Sequence, residues 1–114
     1  MAMYGTIMRI KVKKDRVREF FALGKEWSDR ERKRAIGYLG SEILWEDREE
    51  GRASVVVHFS SRDSYMENAN SPEQDAFYQR LRACLESDPE WIDGEYGRWD
   101  DAHARPPKWA AGSS

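Results

Sequence analysis

The sequence predicts a single α+β domain of βαββαβ order, the ferredoxin-like arrangement in which both helical regions cover one face of an antiparallel sheet. Three observations predict it. Residues 4–12 alternate like a strand, a long amphipathic helical pattern follows, and a hairpin pattern then precedes a second helical region and a last strand. A chain of 114 residues fits one domain, enough to bury roughly two-thirds of its unfolded surface. With 39% hydrophobic, 12% aromatic and 35% charged residues, it reads as globular with a heavily charged surface.

Each element has its own local reason. In residues 4–12, Tyr4, Thr6, Met8, Ile10 and Val12 fall on one side and Gly5, Ile7, Arg9 and Lys11 on the other. Asp15 opens a helix in which Val17, Phe20, Phe21, Gly24 and Trp27 recur at helical spacing within a charged background, until residues 35–37 break it. Residues 38–47 and 53–59 read as two strands joined by the turn Arg48-Glu49-Glu50-Gly51. Ser60 or Ser61 caps a short helix holding Tyr65, Met66 and Ala69, interrupted at Asn70-Ser71-Pro72. The interruption is itself a start signal. Ser71, Pro72 and Gln74 stand as a capping serine, a proline at the first helical position and a glutamine three residues on. The inward stripe of this second helix is Phe77, Leu81, Cys84 and Leu85, and it ends before Asp88-Pro89. Residues 91–99 read as the last strand.

The domain spans residues 1–100, and residues 101–114, with Pro106-Pro107 and a Gly-Ser-Ser end, read as an extended tail. Trp109 either pins that tail to a partner subunit or frays with it. Two helical regions on one sheet face leave the other uncovered. Depending on register, that face presents side chains such as Tyr4, Met8, Trp45 or Val56, and a two-fold homodimer with stacked sheets is the expected cover.

A formal charge of −2 argues against a nucleic-acid partner. Basic residues do collect in residues 13–34, ending in Arg30-Glu31-Arg32-Lys33-Arg34, where cations suit the negative end of a helix dipole. Cys84 is the single cysteine, so no intramolecular disulfide forms, and no stretch resembles a signal peptide or a membrane span. A reducing cytosol is the expected compartment. His58 and His103 are the only imidazoles, so no metal constellation is predicted, and neither Gly37 nor Gly40 belongs to a phosphate-binding loop.

Val55-Val56-Val57-His58-Phe59 leading into Ser60-Ser61-Arg62-Asp63-Ser64, followed by Asn70-Ser71-Pro72 with Phe77 and Leu81, resembles the antibiotic biosynthesis monooxygenase family of dimeric α+β barrel proteins. The resemblance covers residues 4–99. It implies a cleft between helices and sheet that in some members holds a phenolic or quinone-like polyketide and in others haem. In members similar to polyketide oxygenases an Asn near the end of the third strand and a Trp before the second helical region serve the substrate. Here the matching positions hold His58 and Arg62. The haem-degrading branch needs a histidine on the second helical region together with that Trp, and this sequence has neither.

With a cleft implied, the candidate residues can be weighed. His58 is either a general base that takes a phenolic proton, so that the phenolate reacts with oxygen without a cofactor, or a hydrogen-bonded strand histidine. Arg62 either stabilises an anionic intermediate or is solvated at a helix start. Trp27, Tyr65 and Tyr78 are the substrate-binding candidates: the indole walls a cleft or packs a core, and the phenols hold a substrate carbonyl or pack. The expected function is a cofactor-independent monooxygenase acting on an aromatic or phenolic small molecule in the helix and sheet cleft, and the alternative is a non-catalytic dimeric module that binds a small ligand or a partner.

Overall fold

Two-residue alternation along the first strand decides which side chains the sheet can bury. The computed structural model describes residues 3–34, 36–100 and 107–110. Strand β1 (Tyr4–Lys11) is central, pairing antiparallel with β3 (Arg52–Phe59) on one side and β4 (Glu90–Glu95) on the other. Strand β2 (Tyr38–Asp47) completes the order β2-β3-β1-β4, which is the ferredoxin-like order predicted from the element sequence. Helices α1 (Val17–Arg34), α2 (Arg62–Ala69) and α3 (Pro72–Ala83) lie over the face that carries Thr6, Met8 and Ile10.

The turns form where their residues allow. Gly51 closes the β2–β3 hairpin at φ 76°, and a Cβ there would stand 2.6 Å from the Val12 carbonyl oxygen, so only glycine fits. Ser61 Oγ accepts from Ser64 N at 3.2 Å and Ser71 Oγ accepts from Gln74 N at 3.1 Å, so each serine caps the helix it was expected to start.

Several expectations are corrected. Of the four side chains considered for the open face, Tyr4, Met8 and Trp45 turn toward the helices and Val56 alone faces away. The register pairs Met8 with Val55 and Trp45 with Ala53, both helix-side, and Val56 with Ile7 on the open side. The buried stripe of α1 is Phe20, Leu23, Trp27 and Glu31, while Phe21 and Gly24 are exposed. A turn of 3-10 helix at Lys14–Arg16 delays that helix by two residues. The last strand stops at Glu95 rather than at 99. As an edge strand it pairs only with β1, whose first residue Tyr4 stands opposite Glu95, and the final rung is Tyr96 N to Met3 O. Of the predicted tail, Lys108–Ala110 forms a 3-10 turn with Trp109 exposed, and His103 lies outside the described residues.

Core and cavity divide the helix-side face along the strands. Met8, Ile10 and Val12 pack with Phe20, Leu23, Ala53, Leu81, Cys84 and Leu85 at one end. Each such side chain taken from water is worth about 1.5–3 kcal/mol for the larger residues. At the other end, beyond Met8 and Leu81, a cavity remains beneath α2 and α3.

Candidate functional site

The cavity has a volume of about 390 Å³ and lies between the sheet and all three helices. Trp27, Phe20 and Gly24 of α1 form one wall, Tyr65, Asn68 and Ala69 of α2 the cover, and Gln74, Phe77 and Tyr78 of α3 the opposite wall. The floor comes from Thr6 and Met8 of β1, Ser41 of β2, Val55, Val57 and Phe59 of β3, and Trp91 and Asp93 of β4. Its volume and aromatic lining suit a flat ligand of two or three rings.

The aromatic frame is held ring against ring. Trp27 meets Tyr38 edge-on at 5.1 Å and Phe77 at 6.0 Å, and Phe59 meets Tyr65 edge-on at 5.7 Å. Tyr78 stands 6.1 Å from Trp91, which is itself 47% exposed, so this pair marks the solvent side of the cavity.

Polar side chains interrupt the apolar lining, Ser41 and Asp75 among them. The Tyr65 hydroxyl donates to Asp93 Oδ1 at 3.1 Å. On the other side, Trp27 Nε1 donates to Gln74 Oε1 at 2.7 Å, and Asn68 Nδ2 reaches the same oxygen at 3.5 Å. Behind Asn68, Arg34 Nη2 lies 3.3 Å from Asn68 Oδ1 and 3.3 Å from Oε1 of Glu31, whose side chain is fully buried. A carboxylate with no water around it persists only when cations hold it, and Arg30 Nε adds the second at 3.3 Å.

Burial, with the Asp93 carboxylate beside it, pushes the Tyr65 hydroxyl up from 10 to about 12. Because the folded value lies above the unfolded one, its contribution to stability is intact below pH 10 and is lost as pH rises toward 12. Absorbance titration of tyrosinate is therefore expected to show a component ionising near pH 12 that disappears in Tyr65→Phe. A titration curve unchanged by that substitution would contradict the assignment.

The structure brings Trp27, Tyr65 and Tyr78 together around the cavity and places the other two candidates elsewhere. His58 stands opposite Gly5 on the open face, across the sheet from the cavity. Its Nε2 is 3.2 Å from Glu42 Oε1 and its ring 4.3 Å from Tyr96. A base working inside the cavity is therefore not His58, since strand alternation sends it to the side away from Val57 and Phe59. Arg62 is exposed in the first turn of α2, does not line the cavity, and forms no ion pair among the described residues.

Sequence reasoning missed Asp93, Asn68 and Trp91, and read Gln74 only as a capping residue. A signal existed for two of these. Trp91 and Asp93 are two apart in a strand and so share a face, the one that pairs across to Met8 and Thr6. Among the described residues no histidine lines the cavity, and no group of three or more His, Cys, Asp or Glu is placed to hold a metal ion.

No protein-family model matches the sequence, and no curated protein matches it. Solved structures do. A Caulobacter crescentus protein named as a candidate antibiotic biosynthesis monooxygenase superposes with a TM-score of 0.73 at 16% identity, covering 85% of this chain and 92% of its own. A Nitrosomonas europaea protein of the same designation reaches 0.71 at 15% identity, over 87% and 93%. A conserved Methanosarcina mazei protein reaches 0.68 at 17% identity, over 82% and 92%. The likeness is one of fold. It spans nearly the whole of each solved chain.

Proposed function

We propose that this chain is a cytosolic monooxygenase of the antibiotic biosynthesis monooxygenase kind, oxygenating a flat, electron-rich phenol without a cofactor. The observation that carries this reading is the aromatic cavity with the hydrogen-bonded pair Tyr65 and Asp93 in its lining. The designations of the Caulobacter and Nitrosomonas proteins support it. Trp27 and Tyr78 take the faces and edges of the substrate rings. Asp93, an acceptor, takes the substrate hydroxyl and draws it toward its phenolate, which itself supplies the electrons to dioxygen: one oxygen atom enters the ring and the other leaves as water as the phenol becomes a quinone. Tyr65 keeps its proton across the neutral range and orients Asp93. His58 and Arg62 have no part in this chemistry. Oxygen uptake by the purified protein with hydroquinones and flat polyketide phenols tests the reading. Uptake that stops when the cavity is filled supports it, and tight binding without uptake replaces it with a ligand-binding module.

The reading includes a homodimer. On the open face Ile7 and Val56 stand side by side, with Leu44 64% and Ile92 57% exposed next to them. A second copy stacked on this face covers the same patch on both partners. Sedimentation is expected to return twice the monomer mass at micromolar concentration, and the double substitution Leu44→Asp, Ile92→Asp the monomer mass. A monomeric parent protein would contradict this. Nucleic acid is not a partner in this reading. At the basic end of α1, Arg30 and Arg34 are engaged by Glu31 and Arg34 also by Glu73. A membrane is not one either, and among the described residues no helix is long and apolar enough to cross it.

A further inference from the structure

Gln74 does something that the start of a helix does not require. In a reciprocal cap the glutamine three residues after the N-cap returns its side chain to the N-cap backbone N–H. Here only half is made. Ser71 Oγ accepts from Gln74 N, but Ser71 N donates to Asn68 O at 3.1 Å. Its usual target being taken, the Gln74 side chain turns to the cavity, where its Oε1 accepts from Trp27 Nε1 at 2.7 Å.

That contact fixes the amide. An indole N–H only donates, so the atom facing it is the amide oxygen and the NH2 end faces elsewhere. Asn68 is fixed by the same logic, because Arg34 is also donor-only and holds Asn68 Oδ1, which turns Asn68 Nδ2 toward Gln74 Oε1. Gln74 Oε1 thus receives two donors, and reversing the amide breaks both. Its two Nε2 hydrogens make no hydrogen bond to any described residue, on a side chain that lines the cavity.

We propose that the Gln74 amide N–H is a hydrogen-bond donor of the cavity and selects ligands that carry a ring carbonyl oxygen. This rests on the reading of the cavity as an aromatic-binding site and adds to it a second polar anchor of opposite sense. Asp93 offers acceptors and matches a hydroxyl, whereas Gln74 offers donors and matches a ketone. A hydroxylated aromatic ketone or a hydroxyquinone satisfies both ends. A pure hydrocarbon has no acceptor for the Gln74 donors and gains nothing from them.

The rival role is purely structural, with Gln74 present only to accept from Trp27. Two variants of the full chain separate the roles. Gln74→Glu keeps an oxygen for Trp27 but has no N–H, and Gln74→Met is neutral and also lacks the donor. The probes are 1-tetralone and tetralin, the same bicycle with and without a ketone, with dissociation constants measured by calorimetry. In both variants the ketone is expected to bind roughly tenfold more weakly than in the parent, with the hydrocarbon unchanged. Should ketone and hydrocarbon weaken together, or neither weaken, Gln74 has only the structural role while the cavity reading stands. Should the parent protein bind neither bicycle, the cavity reading falls and this inference with it. Gln74→Glu retains the Trp27 acceptor and so keeps the test decisive if Gln74→Met does not fold.

Discussion

Gly24→Trp is expected to abolish oxygen uptake and to weaken binding of flat aromatics by roughly a hundredfold, about 2.7 kcal/mol, without loss of stability. Gly24 sits mid-helix in α1 and lines the cavity, yet a Cβ built on it meets nothing within 4 Å. Glycine in a helix interior costs about 1 kcal/mol relative to alanine. A position that accepts this cost although a side chain would fit reads as space kept open. An indole at that position occupies the space beside Trp27 that a ligand ring would take. Gly24→Ala is the control: it should raise the unfolding free energy by roughly 0.5–1 kcal/mol and leave binding intact. Unimpaired ligand binding in Gly24→Trp would place the binding site outside this cavity.

Local signals located the elements: alternation in β1, a glycine turn in the hairpin, and the serine caps of α2 and α3. What alternation could not decide was which of its two sets faces the helices. Tyr4 and Met8 were open-face candidates until pairing with Phe59 and Val55 set them beneath the helices. For the site, Trp27, Tyr65 and Tyr78 were readable as aromatics on helical elements. For His58, strand alternation sets it on the sheet face opposite Val57 and Phe59, but that this face lies away from the cleft needed the helices in place. Asp93 escaped notice because its meaning comes from Tyr65, 28 residues away in sequence and joined to it only once β4 pairs with β1. Gln74 shows a subtler loss. Its spacing from Ser71 is that of a capping pair, and only the Asn68 carbonyl at Ser71 N reveals that the side chain is free for other work.

Phe59→Ala is expected to lower the unfolding free energy by about 3–5 kcal/mol, a large part of the 5–15 kcal/mol that a domain of this size possesses. Phe59 is fully buried and is gripped edge-on by Tyr38 at 5.5 Å and by Tyr65 at 5.7 Å. It ties β2 and α2 to the centre of the sheet, and because a cavity lies next to it the neighbours have little reason to collapse into the space its ring leaves. Denaturant melts should show the loss as a shifted midpoint, and thermal melts as a fall of more than about 10 °C. A loss under about 1 kcal/mol would mean that Tyr38 and Tyr65 close over the gap. With Gly24→Trp the pair divides the molecule in two ways: one substitution removes binding and spares stability, the other removes stability by enlarging the same space. Both outcomes follow from a sheet whose Met8-to-Val12 end is packed solid while its Thr6-to-Phe59 end is left open for a ligand.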